Sequence, residues 1–159
     1  MKKLFITTAV AILLTVTAFA GDGGRKVTNG VTTVSYEALT RFKADFKKVK
    51  NVTWTVTANC QKATFEWDGV QMTAFYNMSG EYLGLTHNVE YTSVPANAQK
   101  EINTGYADYT TKSVIKFEYN GENTSIEPLV YFVDLKKADN EIVLKVTADE
   151  KVTFFKQVK

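Results

Sequence analysis

The chain has one thiol, Cys60, and one imidazole, His87. A Cys-His or Ser-His-Asp device needs a base within hydrogen-bond reach of its nucleophile and a third group to orient that base. Any such device must therefore run through His87. One His and one Cys also exclude a zinc site of the usual nitrogen and sulfur ligands within a single chain. Carboxylates come in two close pairs, Glu66 with Asp68 and Asp139 with Glu141. Such pairs can do acid-base work or hold calcium, but both flank expected hairpin turns, where Asp is favoured for turn geometry. No phosphate-binding loop is present, because the glycines follow strands without a helix after them. The sequons at Asn51, Asn77 and Asn123 are expected by chance in so Thr-rich a chain. A surface histidine and a small buried thiol are the plainer assignments for His87 and Cys60. No metal or cofactor is expected, and the chemistry left is binding.

The stretch that would position a binding face is Lys62 to Leu85. Asp68-Gly69 signals a two-residue type I′ hairpin, whose central positions both need φ > 0. That register sets Trp67 opposite Val70, Phe65 opposite Met72 and Ala63 opposite Ala74, so one side of the ribbon is apolar. The other side carries Thr64, Glu66, Gln71, Thr73 and, out of character, Phe75. After the Met78-Ser79-Gly80 turn, the preferred parity puts Leu83 and Leu85 inward and Tyr82 outward. Glu66, Gln71, Thr73, Phe75 and Tyr82 are thus the expected protein-binding set, with two aromatic anchors among polar neighbours. Phe132 and Lys145 are expected to continue the same face.

Lys2 and Lys3 precede an apolar run from Leu4 to Val16 and a small-x-small site at Ala18-Phe19-Ala20, the pattern of a secretory signal over residues 1–20. The run is short for a membrane span. Residues 21–33 are Gly-rich and aperiodic and read as a flexible leader, and residues 34–159 as one domain. Two of the 19 basic residues and none of the 17 acidic ones fall in 1–20, leaving 17 of each in the exported part. Zero net charge gives no footprint for nucleic acid or anionic lipid. A lone Cys gives no internal disulfide in a periplasmic or secreted location. The core must be held by packing, for which the 20 aromatic residues, all but two of them in the exported part, supply material.

Ser35 is the expected cap of a first helix with Leu39, Phe42, Phe46 and Val49 on one stripe. Arg41, Lys43, Lys47 and Lys48 form its solvated side. Val52, Trp54 and Val56 alternate with threonines as a first strand, and Trp54, Phe65 and Trp67 are expected to be largely buried under that helix. Ser93-Val94-Pro95 opens a second helix, with a Ser cap and Ala98 and Ile102 inward, ending between Thr104 and Ala107. Ile115, Phe117 and Tyr119 form the next strand. Residues 129–138 and 141–146 pair with Tyr131, Val133, Leu135, Ile142, Leu144 and Val146 on one side and Asp134 opposite Lys145 on the other. In the last strand, Val152 to Val158, either Phe154 or Phe155 must face outward. Helix, strand, strand, hairpin, strand thus occurs twice, over 35–89 and 93–158. The expected fold is α+β, a tandem repeat with both helices packed on one face of a continuous antiparallel sheet.

Phe42-x-x-x-Phe46, then Val52-x-Trp54, Ala63-x-Phe65 with Gly69, and Phe75 with Gly80-Glu81 and Leu83, together resemble the exported bacterial PepSY-like proteins, which are grouped with the β-lactamase-inhibitor-protein-like (BLIP-like) fold. Val94-Pro95 is similar to the Leu-Pro helix start common in that family. The resemblance covers nearly all of the exported part and implies a tandem α+β architecture with a non-enzymatic, protein-binding role. The β-lactamase inhibitors carry disulfides that this chain cannot form, so β-lactamase is not implied as the target. Spanning helices of the membrane-associated PepSY proteins are also missing. The leading expectation is a non-catalytic exported module, an inhibitor or regulator of an exported enzyme, whose partner is an unidentified exported or envelope protein, with no nucleic acid and no stable membrane insertion after signal cleavage. The alternatives are a small periplasmic hydrolase using His87 or carboxylates, and a self-associating structural component of the envelope.

Overall fold

The computed structural model describes residues 33–158. The expected export signal, and the leader apart from Thr33, lie outside the described residues. The order of elements is α1 (Tyr36–Asp45), β1 (Lys50–Val56), β2 (Gln61–Trp67), β3 (Val70–Tyr76), β4 (Tyr82–Val89), a 3₁₀ turn (Tyr91–Ser93), α2 (Ala96–Gly105), β5 (Thr110–Glu118), β6 (Leu129–Lys137), β7 (Asn140–Thr147) and β8 (Val152–Gln157). All eight strands form one antiparallel sheet in chain order.

Local chemistry explains most boundaries. Ser35 Oγ accepts from the Ala38 N–H at 3.2 Å, which satisfies one orphan donor at the start of α1. Buried Gln61 ties that start to the sheet: its Oε1 accepts from the Ser35 N–H at 2.7 Å, and its Nε2 donates to the Asn77 carbonyl at 2.8 Å. The β2–β3 hairpin turns at Asp68 (φ 50°) and Gly69 (φ 80°), and its pairs are Trp67 with Val70, Phe65 with Met72 and Ala63 with Ala74, as the turn chemistry requires. The expected Ser93 cap of α2 is not formed. Pro95 occupies the cap position without a side-chain bond, and Ser93 ends the 3₁₀ turn two residues too early to reach α2.

Cross-strand rows show what each helix meets. One row runs Phe65, Met72, His87, Lys116, Tyr131, Val146, and a parallel one Val89, Val114, Val133, Leu144, Phe154. The α1 rings lie against the first row's end: Phe42 is 5.1 Å from Phe65 and 5.4 Å from Trp54, and Phe46 is 5.6 Å from Trp67. Ala98 and Ile102 of α2 share a buried cluster with Val114, Tyr131, Val133 and Leu144. Phe65 is buried, whereas Trp54 and Trp67 are only half-buried. Trp54 sits on β1, an edge strand with no strand on its outer flank among the described residues.

The β6–β7 hairpin places Tyr131, Val133, Leu135, Ile142, Leu144 and Val146 on one side, matching expectation. Asp134 pairs with Val143, however, and Lys145 with Phe132. The turn is centred on Ala138 and Asp139 rather than on Asp139 and Asn140, so each residue's partner moves by two positions and the two faces are kept. Phe154 is the outward ring of β8 at 58% exposure, and Phe155 packs on Phe132 with ring centroids 5.1 Å apart.

Candidate functional site

The side of the sheet opposite Phe65, called here the Thr64 face, carries most of the expected binding residues. Glu66 and Gln71 stand directly opposite each other on β2 and β3, and Thr73 pairs with Thr64. Gln71 is exposed, and Glu66 and Thr73 are half-buried. Glu66 accepts from Asn51 Nδ2 at 3.1 Å. These three are brought together as the hairpin register requires.

The two aromatic members are not on an exposed surface. Phe75 does point to the Thr64 face, but it is completely buried. Its partner across β3–β4 is Gly84. Phe117 lies over that glycine so closely that a Cβ there would come within 2.3 Å of the ring. Phe75 and Phe117 belong to one cluster with Val130, Phe132 and Val143, joined by Ile115, Phe155 and Ile126 of the β5–β6 connection. The second half of the sheet thus supplies apolar neighbours that the hairpin sequence alone cannot reveal, and the ring becomes core.

Tyr82 is on the other side of the sheet. It pairs with Tyr76, stacks on Tyr119 (centroids 6.1 Å, planes 17° apart), and lies 6.3 Å from Phe46, at 8% exposure. The reversal comes from a bulge. Phe75 pairs with Gly84 and the next residue, Tyr76, with Tyr82, so Leu83 is an extra residue and the parity flips between Leu85 and Tyr82. Gly84, at φ 138°, supplies the backbone conformation. A glycine inside a strand pattern was the sequence signal for this.

A row of hydroxyls was missed by sequence reasoning. Thr53, Thr64, Thr73 and Thr86 face one another across β1, β2, β3 and β4, and the row continues into Phe117 and Val130. Neighbouring strands repeat every ~4.8 Å. Thr64 and Thr73 share a hydrogen bond at 3.2 Å. Thr53 is exposed and the other three are half-buried. The row is made of uncharged threonines. Each Thr looks unremarkable in its own strand, and only the register of three strand pairs aligns them.

Charge on this face is concentrated in the second half. Lys112 Nζ lies 2.8 Å from Glu141 and 3.7 Å from Asp134. Burial and the Glu141 charge push Asp134 up, and the Lys112 hydrogen bond holds Glu141 below the usual carboxylate range. Lys145 bonds Glu127 at 2.7 Å beside a shallow recess of ≈ 510 Å³ that also meets Leu129, Asp149 and Lys151. The Asp139 and Glu141 pair of the sequence is divided, Asp139 in the turn and Glu141 in the sheet; Asp68 is likewise in a turn and Glu66 in the strand.

His87 lies on the Phe65 side, its Nδ1 3.9 Å from Glu118 and without a hydrogen-bond partner among the described residues. Burial lowers its pKa. Cys60 is buried beside the start of β2, where its Sγ donates to the Gln61 carbonyl at 3.6 Å, and burial raises its pKa. Phe65 shares the row of His87, so the thiol and the imidazole are separated by two strand spacings and five residues, about 16 Å along the strand direction. They cannot act as a nucleophile-base pair in this arrangement. Among the described residues no three His, Cys, Asp or Glu side chains are grouped to hold a metal ion, and no helix is long and apolar enough to cross a membrane.

The eight-stranded meander with a helix before each run of four strands has counterparts among solved structures. A BLIP-like protein from Bacteroides fragilis superposes with a TM-score of 0.65 at 14% identity, covering 81% of this chain and 89% of its own. The chain has the BLIP-like fold. A DUF2874 family protein from Bacteroides ovatus matches the same BLIP-like framework with a TM-score of 0.63 at 16% identity, over 77% of this chain and 88% of that one. A protein from Bacteroides eggerthii, provisionally described as periplasmic, gives 0.65 at 12% identity over 79% and 88%. No protein-family model and no curated relative matches the sequence, so the PepSY-like part of the resemblance has no counterpart among these findings.

Proposed function

We propose that this chain is a non-catalytic exported binding module of the periplasm or extracellular space that engages an exported or envelope protein through the Thr64 face, acting as an inhibitor or regulator of an exported enzyme. The observation that carries the reading is the uncharged row Thr53, Thr64, Thr73 and Thr86, which offers hydrogen-bonding groups on a sheet stiffened from behind. Glu66 and Gln71 flank the row and supply orientation, whereas Phe75, buried on the same side, contributes rigidity beside it. The reading takes the two halves as a tandem repeat whose helices cover one face, supported by the continuous row from Phe65 to Val146 and by the order of elements. A BLIP-like neighbour described in those words and a neighbour described as periplasmic support the assignment to exported binders. The separation of Cys60 from His87 counts against the hydrolase alternative.

The test is capture from the envelope fraction of the producing cell. Thr53→Lys with Gln71→Lys, both at exposed positions, should abolish capture with an unchanged melting temperature. Lys43→Glu on the exposed side of α1 should leave capture intact. Equal capture by all three proteins would refute the Thr64 face as the site. Export itself is checked by mass spectrometry of the released protein, which should begin at Gly21; a species retaining Leu4 to Val16 would refute signal cleavage.

A further inference from the structure

His87 is the sole imidazole of the chain, and the binding reading of the Thr64 face leaves it without a task. In the row Phe65, Met72, His87, Lys116, Tyr131, the first two belong to the cluster under α1 and the last to the cluster under α2, so His87 and Lys116 lie between the two. The Nδ1 atom of His87 is buried and has no hydrogen-bond partner among the described residues. A buried polar atom left unpaired is destabilising, and an ion is one of the few groups that satisfy it. Burial lowers the pKa of the ring, which keeps it neutral at pH 7 with a lone pair to offer.

Met72 is the direct partner of His87 across β3 and β4. Residues so opposed on one face hold their Cβ atoms about 4.5–5.5 Å apart. The thioether is half-buried against the α1 cluster, and its unbranched side chain has the rotatable bonds to reach the ring. Glu118 adds a carboxylate: its Oε2 is 3.9 Å from His87 Nδ1, while its Oε1 accepts from Lys116 Nζ at 2.7 Å. The donors are thus one imidazole, one thioether and one carboxylate already shared with an ammonium. Calcium and magnesium need more oxygens than this, and zinc takes imidazole, thiolate and carboxylate rather than thioether. A thioether beside an imidazole selects Cu(I).

We propose that Met72 Sδ and the His87 imidazole bind one Cu(I) ion on the helix side of the sheet, with Glu118 supplying the counter-charge. The ion would satisfy the bare nitrogen and neutralise the carboxylate oxygen that Lys116 leaves over. Lys116 opposes a cation at this position and so sets how tightly it is held. This site lies on the opposite side of the sheet from the Thr64 face and needs none of its residues.

The probe is Cu(I) itself, kept reduced by ascorbate without oxygen and titrated in competition with the chelator bicinchoninate, with Zn(II) as the comparison ion. Binding of one ion is expected to shift the single imidazole and the Met72 methyl in carbon–proton spectra and to leave the Met78 methyl unmoved. His87→Gln and Met72→Leu, the second of which conserves core volume, should each weaken Cu(I) binding at least about tenfold. Glu118→Gln should weaken it and Lys116→Met should strengthen it, a change of sign that general loss of folding cannot produce. Cys60→Ala, which removes the competing thiol, should keep the parent affinity. Unmoved His87 and Met72 signals, an equal response to Zn(II), loss of binding in Cys60→Ala, or parent affinity in Met72→Leu would each overturn the proposal. The Thr53→Lys, Gln71→Lys protein should bind Cu(I) as the parent does, so failure of the Thr64 face and failure of this site are read separately.

Discussion

Gly84→Ala should be among the most damaging single-methyl additions in the chain. Two costs combine at this position. The backbone is held at φ 138°, a region L-residues rarely adopt, which costs about 1–3 kcal/mol. The new Cβ would stand 2.3 Å from Phe117 Cε2 and 2.6 Å from Cζ, and that ring is 3% exposed with Phe75 and Phe132 in its cluster, so it cannot swing into solvent. Forcing a buried ring aside costs about 1–3 kcal/mol more. The expected loss is therefore about 2–6 kcal/mol, against a typical total of about 5–15. Urea unfolding followed by the fluorescence of Trp54 and Trp67 measures it. In a Phe117→Leu background the steric part should largely vanish while the backbone part stays, giving a coupling of about 1–3 kcal/mol in the double-mutant cycle. A cost below about 0.5 kcal/mol in the parent protein, or no coupling to Phe117, would refute both the bulge and the packing account of Phe75.

Phe75→Ser should lower stability by at least about 3–5 kcal/mol in the same assay, since the ring is completely buried; an unchanged unfolding midpoint would restore Phe75 to the surface. For His87, burial places the folded pKa below the ordinary 6.5, so the unfolded chain takes up the proton more readily. Its contribution is fully present above pH 6.5 and is lost as pH falls toward the folded value, with Glu118 opposing and Lys116 reinforcing the shift. The melting temperature should therefore fall between pH 7.5 and 5 more steeply in the parent than in His87→Gln, and identical slopes would refute this. Lys112→Met should destabilise the protein at pH 7 by unpairing Glu141, and less so as pH falls through the depressed Glu141 pKa. A pH-independent effect on thermal unfolding would show that packing, not charge, is what Lys112 contributes.

Several features were decided by residues close together in the chain. Asp68-Gly69 dictates a turn that only a few backbone conformations can make, and through it every pair of the β2–β3 hairpin. Ser35 and the stripe of Phe42 and Phe46 define α1 and its buried side, because a helix start and a 3.6-residue period are local matters. Glu66, Gln71 and Thr73 follow from the same turn. Tertiary structure decided the rest. Alternation in β5 announces a strand but not which side is which: Phe117 pairs with Thr86 and so turns to the Thr64 face, and Lys116 and Glu118 lie on the other side, paired at 2.7 Å next to His87. Tyr82 was reversed by one extra residue at Leu83, a slip that pairing across β3–β4 creates and no period of two can foresee. Phe75 became core because Phe117, 42 residues later in the chain, closes over the glycine beside it and Phe132 joins the same cluster. A residue's side of a strand is set by its own backbone, whereas its burial is set by whatever the rest of the chain brings to that side.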